Sequence, residues 1–127
     1  MRAAVVAGVA YFAIVFSIGF ALGTARTLLI APRLGEVGAV LLETPAMLAA
    51  SWICARWSVR RFRAPPAVGT RAVMGAVAFG LLMAAELGVS VLAFGRSPSE
   101  HFALYRTPAG AIGLGAQLVF GLIPLAA

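Results

Sequence analysis

Four apolar runs, over residues 3–26, 37–57, 72–94 and 108–126, take up most of this 127-residue chain. A helix rises about 1.5 Å per residue, so each run is long enough to cross a hydrocarbon core about 30 Å thick. Backbone amides in lipid have no water to bond and must satisfy one another, which makes helices of these runs. Composition removes the soluble alternative: 62% of residues are hydrophobic and 11% charged, with a mean hydropathy of +1.01. That is too little polar surface to coat a water-soluble globule of this size. The expected fold is all-α, a four-helix transmembrane bundle with short loops and a short interfacial helix before the last span. It forms a single integral membrane domain over residues 1–127.

Turn-forming residues separate the runs. Pro32, Gly35 and Gly38 mark the first connection, Ala64-Pro65-Pro66 with Gly69 and Thr70 the second, and Gly95 to Thr107 the third. In the third, Ser97-Pro98-Ser99-Glu100 has the form of a capping box and predicts a short helix from Pro98 to about Arg106. Its Phe102 and Tyr105 fall on one side, as suits a segment lying at the membrane surface. Thr107-Pro108 repeats the cap-plus-proline signal and starts the last span. Gly23-Thr24-Ala25 resembles a signal cleavage site, but the preceding apolar run exceeds the roughly 7 to 15 residues of a signal core, so an uncleaved first span is expected.

All ten basic residues are arginine, the net charge is +6 and the isoelectric point is near 11.4. Lys, Asp and Asn are absent, a bias that fits a GC-rich bacterial gene. The arginines form no long basic face with aromatics interleaved for base stacking, which argues against nucleic acid as a partner. Topology accounts for them better. Arg56, Arg60, Arg61, Arg63 and Arg71 cluster around the second connection, and arginine-rich loops stay in the cytoplasm. With four spans this puts both termini and the second connection inside a bacterial inner membrane, and Arg26, Arg33, Arg96 and Arg106 outside. Trp52 and Trp57 sit at the same inner end, where indole rings favour the headgroup boundary. The Arg56 to Arg63 stretch also suits anionic lipid headgroups. The single cysteine, Cys54, leaves no internal disulfide, CxxC pair or zinc pattern. No cofactor or metal is expected.

Glu43 and Glu86 lie inside the second and third runs. An ionised carboxylate at mid-membrane costs on the order of 2.5 to 3.5 kcal/mol, so such residues face a protein interior and have partners. By helical rise Glu43 lies roughly 9 Å from the outer end of its span, Glu86 roughly 12 Å and Gln117 roughly 13 Å. Ser17 and Thr24 bracket the same level on the first span, with Arg26 just above as the obvious counter-ion to Glu43. These residues, Glu43, Glu86, Arg26, Gln117, Ser17 and Thr24, are the expected intramembrane polar cluster. Ala39, Glu43, Ala46, Ala50 and Cys54 share one face, so close helix approach would enclose the acid. Pro45 should release the carbonyl of Leu41 and kink the span beside Glu43. In the third span Ala72, Ala76, Gly80, Ala84 and Gly88 form a small-residue stripe expected to pack tightly, with Glu86 pointing nearly the opposite way. His101, beside Glu100, reads as surface-exposed.

The first half of the chain carries Gly19-Phe20-Ala21-Leu22-Gly23, Arg26, Pro32-Arg33-Leu34-Gly35-Glu36 and Glu43-Thr44-Pro45-Ala46-Met47-Leu48. In this pattern it resembles a family of small uncharacterised bacterial four-span inner-membrane proteins. The resemblance implies bacterial origin and membrane location and brings no activity with it. Small multidrug resistance transporters are similar in length and span count, but their membrane glutamate lies in the first span, which here contains no acid. The chain has no His-Glu zinc motif, no GxSxG and no serine paired with a histidine, so it does not read as an enzyme. The reading is a non-enzymatic structural or accessory membrane subunit with a buried polar cluster. The alternative is a small oligomeric transporter or channel that uses the two glutamates for protons or cations. The expected partners are the lipid bilayer and either further copies of the chain or a larger membrane complex.

Overall fold

A computed structural model describes residues 2–127, and every regular element among them is helical. Helix α1 spans Arg2–Ala25 and runs through a π-helical turn, Arg26–Ile30, into α2, Ala31–Arg61. Helix α3 spans Val68–Phe94, α4 Pro98–Ala103 with a 3₁₀ turn at Leu104–Arg106, and α5 Pro108–Ala126. Three helical stretches are long and apolar enough to cross a membrane: Arg2–Arg61, Val68–Phe94 and Pro108–Ala126.

The first of these stretches is folded back on itself. Gly35 lies at φ 76° and ψ 168°, a backbone region open essentially to glycine alone. Contacts on either side of it run in opposite directions. Met47 of α2 lies against Gly19 of α1, whereas Glu43 meets Arg26. As position rises along α1 its partner falls along α2, so the two are antiparallel arms joined near Gly35. Pro45 does not interrupt the second arm, because Gly35 is the one residue within α2 with non-helical dihedrals. The reversal between the two arms falls at the glycine, where the backbone turns at far lower cost than inside a hydrogen-bonded helix.

The four long segments form a square. Helix α1 packs on α2 and α3, and α5 packs on the same two, which leaves α1 opposite α5 and α2 opposite α3. The core is concentrated at one end, built from Ala4, Ala7, Tyr11 and Val15 of α1, Cys54, Ala55 and Val59 of α2, Met74, Ala78 and Leu82 of α3, and Phe120 of α5. Small residues permit the contact. A Cβ on Gly75 would collide with the carbonyl oxygen of Gly121, so α3 and α5 touch backbone to backbone there. The small stripe that seemed suited to packing lies elsewhere. Ala72, Ala76, Gly80 and Ala84 are exposed, and nothing lies within 4 Å of where a Cβ on Gly80 or Gly88 would sit. The inward face is instead Arg71, Met74, Gly75, Ala78 and Leu82, because it carries the larger apolar side chains that fill the square.

Outside, the bundle is apolar. Leu28, Leu29, Ile53, Leu92 and Leu122 all project outward, an exterior that matches acyl chains and would be unstable against water.

Connections follow the local sequence. Ser97 caps α4: its Oγ accepts from the Glu100 amide at 3.2 Å while the Glu100 carboxylate accepts from the Ser97 amide at 3.0 Å, the reciprocal capping box. The bond from the Ser97 amide, followed by the Ser97 side chain, holds the Glu100 carboxyl below the usual carboxylate range. Thr107 caps α5 by accepting from the Gly110 amide at 3.0 Å, with Pro108 at the first helical position.

Candidate functional site

The end of the bundle away from the core holds the polar side chains in two groups. In the first, Arg26 opens the π-helical turn at the end of α1. Its Nε lies 3.2 Å from a Glu43 carboxylate oxygen on the facing arm. Turns of this wide kind often mark functional positions because they re-aim a side chain. The pair flanks a cavity of about 290 Å³ whose other walls are Leu22, Ala25, Ile30, Leu42 and Ala46. Such apolar walls offer no other polar partner, so each charge of the partly exposed pair depends on the other.

The second group surrounds Glu86 of α3. Gln117 of α5 donates its amide N–H to one carboxylate oxygen, and the Tyr105 hydroxyl donates to the other at 3.4 Å. His101 Nε2 lies 3.1 Å from the same hydroxyl. A hydroxyl has one proton, so if Tyr105 gives it to Glu86 the histidine must donate from Nε2. That tautomer leaves Nδ1 as an acceptor, and Nδ1 is buried without a hydrogen-bond partner. Placing a second proton there would bury an unbonded N–H. Burial, and then the Arg96 charge, accordingly lower the histidine pKa. Tyr105 is pushed up to about 12 by burial and by the charge and hydrogen bond of Glu86, so it remains a donor across the physiological range.

Four of the residues expected in the cluster are therefore brought together: Arg26 with Glu43, and Gln117 with Glu86. Ser17 and Thr24 are not part of it. Both are exposed and return their hydroxyls to their own helix, at Ala13 O and Phe20 O, each at 2.8 Å. A short hydroxyl on a helix satisfies itself this way unless a partner helix comes close. His101, expected at the surface, is buried at 6% exposure, because the cap at Ser97 rolls α4 so that His101 and Tyr105 face α3. Residues four apart share a helix face, so their joint approach was detectable from spacing; the direction they face was not.

Of the clustered arginines, Arg56, Arg60, Arg61 and Arg63 are exposed. Arg71 differs. It is buried, donating Nε to Pro65 O at 3.2 Å and Nη1 to Pro124 O at 3.3 Å. It thereby ties the second connection to the end of α5, where the exposed carbonyls favour a cation. Its guanidinium is committed to these two carbonyls. Tyr11, which sequence reasoning passed over, is fully buried and donates its hydroxyl to Phe120 O at 2.7 Å across the diagonal of the square. The signal was Pro124, which has no N–H for the carbonyl four residues earlier and so creates a demand for an outside donor.

The described residues contain no grouping of His, Cys, Asp or Glu able to hold a metal ion. No protein family, curated protein or solved structure matches this chain.

Proposed function

We propose that the chain is a four-span protein of a bacterial inner membrane, with both termini cytoplasmic, acting as a non-enzymatic structural or accessory subunit whose polar layer locks its helices in register. The observation that carries this reading is that each intramembrane carboxylate has partners within the chain. Glu43 is paired with Arg26, and Glu86 is bonded by Gln117 and Tyr105. Each bond joins different segments, so the layer opposes sliding of one helix past another. The antiparallel fold at Gly35 supports reading Arg2–Arg61 as two spans. Extraction from native membranes in mild detergent tests the role: comigration with a larger assembly is expected, and a free, homogeneous monomer would overturn it.

One observation favours a second reading, a small proton- or cation-coupled transporter. His101, Tyr105 and Glu86 form a continuous hydrogen-bonded chain leading from the connection before α5 into α3, as a proton path requires. Proton flux into liposomes separates the two readings. A transporter loses flux in Glu86→Gln and Glu43→Gln, whereas a structural subunit shows no flux to lose.

A further inference from the structure

We propose that the C-terminal half of α2 presents a binding site for an anionic phospholipid, formed by Trp52, Ile53, Arg56, Trp57, Arg60 and Arg61. These six side chains line one shallow groove of about 550 Å³. Their spacing in adjacent pairs four residues apart puts them on one helix face. All six are exposed.

Charge identifies the occupant. The protein has four acidic residues, and Glu36, Glu43, Glu86 and Glu100 all belong to the other half of the bundle. Arg26–Glu43 is the ion pair among the described residues, so the groove arginines have no anion supplied by the chain. Arg71, which neighbours them in sequence, is committed to two backbone carbonyls, and Arg63 lies on the loop at φ 54°, outside the groove. The site is thus narrower than the arginine cluster as a whole.

The order of residues along the helix selects a lipid over a free anion. Trp52 and Ile53 come first, deeper along an otherwise apolar helix, and Arg60 and Arg61 come last, at its end. An acyl chain can lie on the first pair while the phosphate reaches the last. Inorganic phosphate would leave the indoles and Ile53 unused. Two of the guanidinium groups are also held by aromatic rings, Arg56 over Trp52 at 5.8 Å and Arg61 over Phe62 at 5.4 Å. That stacking reduces the freedom lost when a phosphate is bound.

Both tryptophans of the protein lie in this groove, so its fluorescence reports on the site alone. The full chain is reconstituted into phosphatidylcholine vesicles containing either brominated phosphatidylglycerol or brominated phosphatidylcholine at equal mole fraction, and quenching is compared. A preference of about fivefold or more for the anionic lipid is expected, the effect of a single arginine close to an anionic surface. The preference should fall toward one in Arg56→Gln/Arg60→Gln/Arg61→Gln and in 0.5 M salt on the order of a Debye length of a few Å, and persist in Arg33→Gln/Arg106→Gln. Millimolar inorganic phosphate should leave it unchanged. Equal quenching by the two lipids in the unmodified protein would overturn the proposal, as would a preference that survives the triple substitution. Where the triple variant fails to insert, the salt dependence of the unmodified protein decides in its place.

Discussion

Replacing Tyr11 with phenylalanine removes one oxygen atom and leaves the rest of the side chain in place. The tyrosine ring stacks on Phe120 with centroids 4.3 Å apart, and the phenylalanine ring retains that contact. Its hydroxyl donates to Phe120 O at 2.7 Å, and this carbonyl has no helical donor because Pro124 occupies the position whose N–H would reach it. The variant therefore leaves a buried acceptor unbonded, which costs about 1 to 3 kcal/mol in soluble cores. Interhelical hydrogen bonds inside membranes average about 0.6 kcal/mol and reach about 1.7. Because the acceptor lies in the best-packed part of the bundle, the upper part of that range applies, giving roughly 1 to 1.5 kcal/mol. Restoring the missing N–H removes the need for the tyrosine. In a Pro124→Ala background the alanine amide reaches Phe120 O, and Tyr11→Phe should cost less than about 0.5 kcal/mol there. Reversible unfolding of all four proteins in mixed micelles measures the cycle. Equal costs of Tyr11→Phe in the two backgrounds would refute the argument that the hydroxyl substitutes for the amide that proline lacks.

Gly75→Ala should destabilise by several kcal/mol or prevent folding, because its methyl group meets the Gly121 backbone carbonyl. Gly80→Ala, where nothing is near, should be neutral or slightly stabilising by about 0.5 to 1 kcal/mol; the same micelle unfolding assay compares them. Removing Arg26 alone leaves Glu43 beside an apolar cavity, so Arg26→Gln should be more damaging than Arg26→Gln/Glu43→Gln. The difference should be about 1 to 2 kcal/mol, reduced from the fully buried case because the pair is partly exposed. The histidine pKa is lowered in the folded state, so the unfolded chain binds the proton more tightly. Stability should accordingly rise with pH between the lowered value and the ordinary one of about 6.5 and flatten above it. Hydrogen exchange of the α4 amides should show this as weaker protection on acidification below about pH 6.5, an effect lost in His101→Asn.

A chain with this hydropathy has to satisfy its backbone in helices, so helical class and both caps of the third connection were readable from residue order. These depend on neighbours at most a few positions away. The pairing of Arg26 with Glu43 was also readable, since charges in lipid have few partners to choose from. Which face of α3 turns inward was not. An alanine and glycine stripe fits a tight contact and a lipid-facing surface equally well, and the choice fell to Met74, Leu82 and the demand for space at Gly75. The same holds for Arg71, which looked like its neighbours until the end of α5 came within reach, and for His101, whose burial depends on how α4 is rolled against α3. Composition and periodicity determine which segments are helices and which side chains need partners. Only the packing of distant segments decides which partner each one receives, because that choice rests on distances between residues far apart in the chain.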